Sequence, residues 1–187
     1  MNEEQAVAHF LRNGTAEAFC LMFGAVYNRV RRYFVLGGLD EMTAEDLAQN
    51  VLLKVYKHAN ELNRAENFHA WLFKIARNEL ISHHRKQEAR IELVEFDALD
   101  ADRLELAMIS EGEFSRSQLM EWLDELESGD RELLTLRFVE GLSYEELAKV
   151  FELPVGTIKS RLFYVRRRLA QIIETSNPYL TRSGKRN

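Results

Sequence analysis

Gly141-Leu142-Ser143-Tyr144-Glu145-Glu146-Leu147-Ala148, followed after a short turn by Pro154-Val155-Gly156-Thr157-Ile158-Lys159-Ser160-Arg161-Leu162, decides the fold of this chain. Ser143 is placed to cap a helix N-terminus, with Glu146 three residues on reaching back to the freed backbone N–H. Leu147, Ala148 and Phe151 then supply a buried stripe. The chain must turn around Leu153-Pro154-Val155-Gly156, because proline cannot continue a helix interior and glycine relieves the backbone at the corner. A second helix is expected from near Thr157. Two helices joined by so short a turn make a helix-turn-helix.

In the second helix Ile158, Leu162, Val165 and Leu169 follow the 3.6-residue period and define an inward face. Lys159, Ser160, Phe163, Arg166 and Arg167 lie together opposite them. No Asp or Glu occurs between Glu152 and Glu174, whereas the helix carries Lys159, Arg161, Arg166, Arg167 and Arg168. An ordinary solvated helix mixes its charges. A cationic, aromatic face of this kind matches a phosphate backbone.

The 187 residues leave room for one large or two small domains, and 46% hydrophobic residues is enough for real cores. Two prolines and nine glycines are too few for the turn density of sheets, so the chain reads as all-α. The single cysteine, Cys20, excludes an internal disulfide and any multi-cysteine zinc site; beside Phe19 and Phe23 it is expected to be a small buried hydrophobe in a reducing compartment. The N-terminus lacks the basic and apolar regions of a signal peptide, and no apolar run approaches the roughly 20 residues of a membrane span, so a cytoplasmic protein with no membrane insertion is expected.

The net charge of −5 argues against coating nucleic acid by bulk electrostatics, so the charge must be partitioned. Between Glu92 and Glu113 eight acidic residues face only Arg103, with no sustained amphipathic stripe. This run reads as an interdomain linker, its charge either solubilising or directed at a basic channel on a partner.

Ahead of it lies a compact helical domain. Asn13-Gly14 stops a first short helix, and Thr15 starts a second in which Phe19, Phe23, Tyr27, Val30 and Phe34 are expected in the core until Gly37-Gly38. Thr43 with Asp46 is expected to open a third helix, with Ala44, Leu47, Ala48, Val51, Leu52 and Val55 buried. Its other side, Asp46, Gln49, Asn50, Leu53 and Lys57, frames a leucine with an acid and amides, as a protein contact does. A further helix from about Asn67 to Lys86 begins aromatic and ends basic. Lys74, Arg77, Asn78, Ile81, His84 and Arg85 recur on one side of it, near Phe68, Trp71 and Phe73, which serve either core packing or stacking on unpaired bases.

Catalytic constellations are missing. The five histidines show no HxxxH or HExxH spacing, and there is no phosphate-binding glycine loop, nucleophile elbow or acid pair set up for acid and base chemistry. No enzymatic activity, metal or cofactor is expected.

Three of these stretches, in order, resemble the bacterial RNA polymerase sigma factors of the sigma-70 family, in their small two-domain extracytoplasmic-function (ECF) group. Ala44 to Tyr56 resembles the helix that docks on the polymerase clamp, Phe68 to Asn78 the promoter-melting segment, and Gly141 to Leu169 the helix-turn-helix that reads the minus-35 element. The resemblance implies two small helical domains: residues 1–91 (region 2, core docking and minus-10 melting) and 117–176 (region 4, minus-35 recognition), joined by the acidic linker 92–116 and followed by a flexible tail, 177–187. It implies that Asp46, Gln49, Asn50 and Leu53 contact core polymerase. Asn63, Arg64, Asn67, Trp71, Lys74, Arg77, His84 and Arg85 would serve the minus-10 element. Arg137, Lys159, Ser160, Arg161, Phe163, Arg166 and Arg167 would serve the minus-35 element, with Arg168 also placed for phosphates. Implied partners are core RNA polymerase, promoter DNA and an anti-sigma factor. Tyr164 departs from the family, many members having Arg there, and His83-His84 falls where others often have Asp-His. A stand-alone helix-turn-helix regulator is the alternative, but its N-terminal half would hold a ligand pocket or phosphoacceptor fold. An adaptor would leave the basic face unused, and a nuclease would need clustered metal-binding acids.

Overall fold

The computed structural model describes residues 1–59, 68–91 and 116–176, and every regular element among them is helical. The expected linker, apart from Arg116, and the tail 177–187 lie outside the described residues.

Four helices form the N-terminal half: α1 (Glu3–Asn13), α2 (Ala16–Leu36), α3 (Glu41–His58) and α4 (Phe68–Ile91). Asn2 and Gln5 close a reciprocal capping box on α1, and Gly14 at φ 61° ends it. The buried face of α2 is Ala18, Met22, Val26, Val30, Tyr33 and Phe34. It is rotated one step from the expected stripe, and Phe19, Phe23 and Tyr27 pack half-buried along its edge as an aromatic row. That rotation brings Cys20 to the surface, so it is exposed rather than a core residue.

The cap of α3 is Asp40, not Thr43. Its Oδ1 accepts the Thr43 backbone N–H at 3.0 Å and its Oδ2 the Thr43 hydroxyl at 2.6 Å, which extends the helix one turn earlier than expected. Ala44, Ala48, Val51, Leu52 and Val55 are buried as the period predicts, with Leu47 half-buried. Phe68, Leu72, Phe73, Ala76 and Leu80 of α4 complete this core. Gly37 lets α4 cross close to the end of α2, since a Cβ there would lie 3.2 Å from Leu80 Cδ2 and 3.1 Å from the Phe34 carbonyl.

The C-terminal half comprises α5 (Arg116–Asp124), α6 (Ser128–Leu134), a π-helical segment (Thr135–Val139), α7 (Tyr144–Phe151) and α8 (Val155–Ser176). The capping box of α7 is present as expected: Ser143 Oγ accepts from Glu146 N, and the Glu146 carboxylate accepts from Ser143 N at 2.8 Å. The corner, however, is not made by Gly156, which lies inside the first turn of α8. It is made by Glu152 at φ 56°, ψ 41°, whose N–H bonds the Ala148 carbonyl. Pro154 accordingly sits immediately before α8, which starts at Val155 rather than near Thr157. Leu147, Val150 and Phe151 of α7 and Ile158, Leu162 and Val165 of α8 close the core with Leu133, Leu134 and Leu136; Ala148 is only half-buried, and Val150 takes the place expected for it.

The two halves are packed on each other, α4 against α7 and α2 against the π-segment. Arg29 and Arg32 of α2 bind Glu140, Tyr33 and Arg77 bind Glu132, and Lys74 binds Glu152.

Candidate nucleic-acid interface

The exposed face of α8 holds Lys159, Ser160, Phe163, Tyr164, Arg166, Arg167 and Arg168. Its apolar stripe fixes this orientation by burying Ile158, Leu162 and Val165 against α7 and α6. Phe163 and Tyr164 are 64% and 66% exposed, a desolvation penalty that a folded chain normally avoids unless the rings meet a partner. Lys159 lies 5.4 Å from the Tyr144 ring and Arg166 5.9 Å from the Phe138 ring, so both cations are steadied by aromatic faces without being neutralised by an acid.

Two expected contacts have internal duties. Arg161 turns towards α6 and pairs with Asp130 at 2.8 Å, and only a glycine at 129 allows this, because a Cβ there would fall 2.8 Å from the Arg161 Nη2. Arg137 donates to the Leu142 carbonyl at 2.6 Å and stacks 4.7 Å from the Tyr144 ring, bracing the turn before α7. Arg168 approaches Glu127 at 3.8 Å, an exposed pair of little strength.

On α3, Asp46, Gln49 and Asn50 are exposed, and Leu53 is 49% exposed among them. Tyr56 continues the strip and packs on Phe19 at 4.8 Å. An ion pair between Lys54 and Glu79 pins α3 to α4.

Asn63, Arg64 and Asn67 lie outside the described residues. On α4, Trp71 is half-buried beside Phe68, and Arg85 is exposed. Lys74 and Arg77 face the other half of the chain: Lys74 Nζ sits 2.6 Å from Glu152, and Arg77 sits 3.2 Å from Glu132 and 4.9 Å from the Phe151 ring. His84 lines a cavity of about 120 Å³ with Tyr33, Arg77, Glu132 and Thr135. Burial raises the Glu132 carboxyl against the lowering pull of Tyr33 and Arg77. Burial likewise pushes the Tyr33 hydroxyl well up, helped by the Glu132 charge.

The role of Glu132 and Glu140 was invisible in the sequence, where both sit in a mixed-charge run. Among the described residues there is no cluster of His, Cys, Asp or Glu able to hold a metal, and no helix long and apolar enough to cross a membrane.

An all-helical chain with a basic helix-turn-helix in one half and a cation-bearing helix in the other is a two-headed reader of nucleic acid. Residues 23–90 match the family profile Sigma-70 region 2, and residues 116–169 match Sigma-70, region 4. The chain is 28% identical to the RNA polymerase sigma-H factor of Pseudomonas aeruginosa, over 92% of this chain and 94% of that one. It is 29% identical to the ECF RNA polymerase sigma-E factor of Escherichia coli, over 87% and 90%. In three dimensions it resembles the sigma factor RpoE solved with the anti-sigma factor NepR from Bartonella quintana, with a TM-score of 0.72, 26% identity, and coverage of 87% of this chain and 100% of that one. CnrH, solved with the cytosolic domain of CnrY, shares the fold at a TM-score of 0.67 and 19% identity, over 94% and 99%. The chain belongs to the sigma-70 family and is a sigma factor of the ECF group.

Proposed function

We propose that the chain docks on core RNA polymerase through the exposed strip Asp46, Gln49, Asn50 and Leu53, and places α4 and α8 on the minus-10 and minus-35 promoter elements. The observation that carries this reading is the face of α8: Lys159, Phe163, Arg166 and Arg167 are all exposed, with no acid on the helix before Glu174. Lys159, Ser160, Phe163 and Arg166 are placed for base edges, and Arg167 and Arg168 for phosphates. Arg161 and Arg137 shape that surface as much as they touch it, because each is already held by a protein partner. On α4, Lys74, Arg77, His84 and Arg85 follow the DNA strand, Trp71 offers a ring edge for an unstacked base, and Asn63, Arg64 and Asn67 belong to the loop that receives an extruded base.

The chemistry of transcription belongs to the polymerase, and this chain supplies recognition and melting without catalysis of its own, in the cytoplasm where core polymerase works. An anti-sigma factor, as in the RpoE and CnrH complexes, is the expected antagonist. Run-off transcription with purified core polymerase on a library of promoter sequences tests the reading. Start sites that appear only when the chain is added, and share two motifs at fixed spacing, support it. Core-independent footprinting at nanomolar protein would favour a stand-alone regulator instead.

A further inference from the structure

We infer that segment 132–140 of the C-terminal half is a clasp that locks the free protein in a closed form, with two of its minus-10 cations covered by its own minus-35 domain. Three polar residues are buried among the described residues, Glu132, Thr135 and Glu140, and all three fall in this one segment. Buried carboxylates are retained only where partners satisfy them. Here the partners come from the other half of the chain. Glu140 accepts from Arg29 Nε at 2.8 Å through one oxygen and from Arg32 Nε and Nη2 at 3.0 and 2.8 Å through the other, while Arg29 Nη2 also reaches the Glu140 carbonyl at 2.7 Å. Glu132 takes the Tyr33 hydroxyl and Arg77. No buried side-chain nitrogen or oxygen among the described residues lacks a partner, so the contact is complete.

This closed form cannot span a promoter. Glu152 touches Lys74 and is seven residues from Lys159, a reach of at most about 25 Å, so with side chains added the two readers lie within about 40 Å. Elements named for positions 10 and 35 are about 25 base pairs, or about 85 Å, apart. The halves must therefore separate before both can be read, and separation frees Lys74 and Arg77. An interface built from ion pairs suits this, because water and phosphate can replace each partner it loses. The structural claim is independent of the proposed function, while its consequence for DNA rests on that function.

The test uses the full chain labelled for energy transfer at Cys20, which is exposed on α2, and at Gln171→Cys on the exposed side of α8. Wild type should show high transfer. Glu140→Arg should lower the closed fraction at least tenfold with unchanged helical content, Arg32→Ala should lower it less, and Arg32→Glu combined with Glu140→Arg should recover part of the loss. Equal transfer for wild type and Glu140→Arg, or no recovery in the charge swap, overturns the clasp. Because neither DNA nor polymerase is present, a failed transcription assay leaves this measurement interpretable. In a second arm a single-stranded minus-10 oligonucleotide should bind Glu140→Arg several-fold more tightly than wild type; equal affinities, with transfer already lowered, would mean that closure does not hide the reader.

Discussion

Lys74 reaches across the two halves of the chain to place its ammonium 2.6 Å from the carboxylate of Glu152, which alone among the described non-glycine residues has a positive φ. One residue thus turns the helix-turn-helix and holds a cation of the opposite reader. The Glu152 carboxyl is held below its ordinary range by the hydrogen bond and charge of Lys74.

Glu152→Asn separates the two duties, since asparagine tolerates the left-handed conformation but is uncharged. Thermal unfolding should stay within about 0.5 kcal/mol of wild type. Binding of the free chain to a single-stranded minus-10 oligonucleotide should rise about two- to fivefold, the scale of one exposed ion pair, as read by fluorescence anisotropy.

Asp46→Arg and Leu53→Asp should abolish capture by core polymerase in a pull-down, while circular dichroism and unfolding change little, because both side chains are exposed in the free protein. Wild-type capture of the double variant would remove α3 from the docking surface.

Alanine at Lys159 or Arg166 should relax discrimination at one minus-35 base by about 1–3 kcal/mol. Alanine at Arg167 should weaken all promoters alike and reduce the salt slope by about 1. Arg161→Ala should behave as neither, lowering the melting temperature of the C-terminal half through loss of Asp130, which a thermal scan beside the promoter profile distinguishes.

Closure should respond to pH through Glu132. Its carboxyl is raised by burial in the closed form and returns to an ordinary value when exposed, so the closed form binds more protons in the window between the two values. Closure therefore strengthens as pH falls from about 7.5 towards about 5.5 and weakens as it rises. Tyr33 of α2, Arg77 and His84 of α4 and Arg161 of α8 face this carboxyl or its cavity, so the control is Glu132→Gln, which should flatten the response of energy transfer. Glu3 opposes the trend only at lower pH: burial raises its carboxyl, but the His69 hydrogen bond and Arg29 outweigh this and hold it low.

What the sequence disclosed was local. Periodicity placed Ile158, Leu162 and Val165 inward and Lys159, Phe163 and Arg166 outward, because a helix fixes such faces within one or two turns. The Ser143–Glu146 box was legible for the same reason. Cys20 was misplaced because a crowded aromatic run, Phe19 to Tyr27, offers two apolar faces about 100° apart, and packing against α1 and α3 chose Met22 and Val26. Glycine drew the turn to Gly156, although Glu152 took the strained angle. Nothing local marks Glu132 or Glu140 as buried, since their partners lie 55 to 111 residues away in Tyr33, Arg77, Arg29 and Arg32.

The wide turn between Thr135 and Val139 has a consequence for how this protein changes over generations. Eight residues of α-helix would carry Glu140 about 80° past Glu132 around the axis. The π segment, closed by the Glu140 N–H on the Thr135 carbonyl five residues back at 3.0 Å, rotates more slowly per residue and aims both carboxylates at the same neighbour. It is equivalent to an α-helix holding one surplus residue. Deletion of a single codon there would let the segment relax to ordinary helical phase and swing everything after it by about one residue's rotation, leaving Ser143, the turn and α8 intact as a unit. A small, in-frame genetic event would thus rewire the coupling between the two heads without rewriting either, a route by which related chains can diverge in restraint while keeping the same promoter grammar.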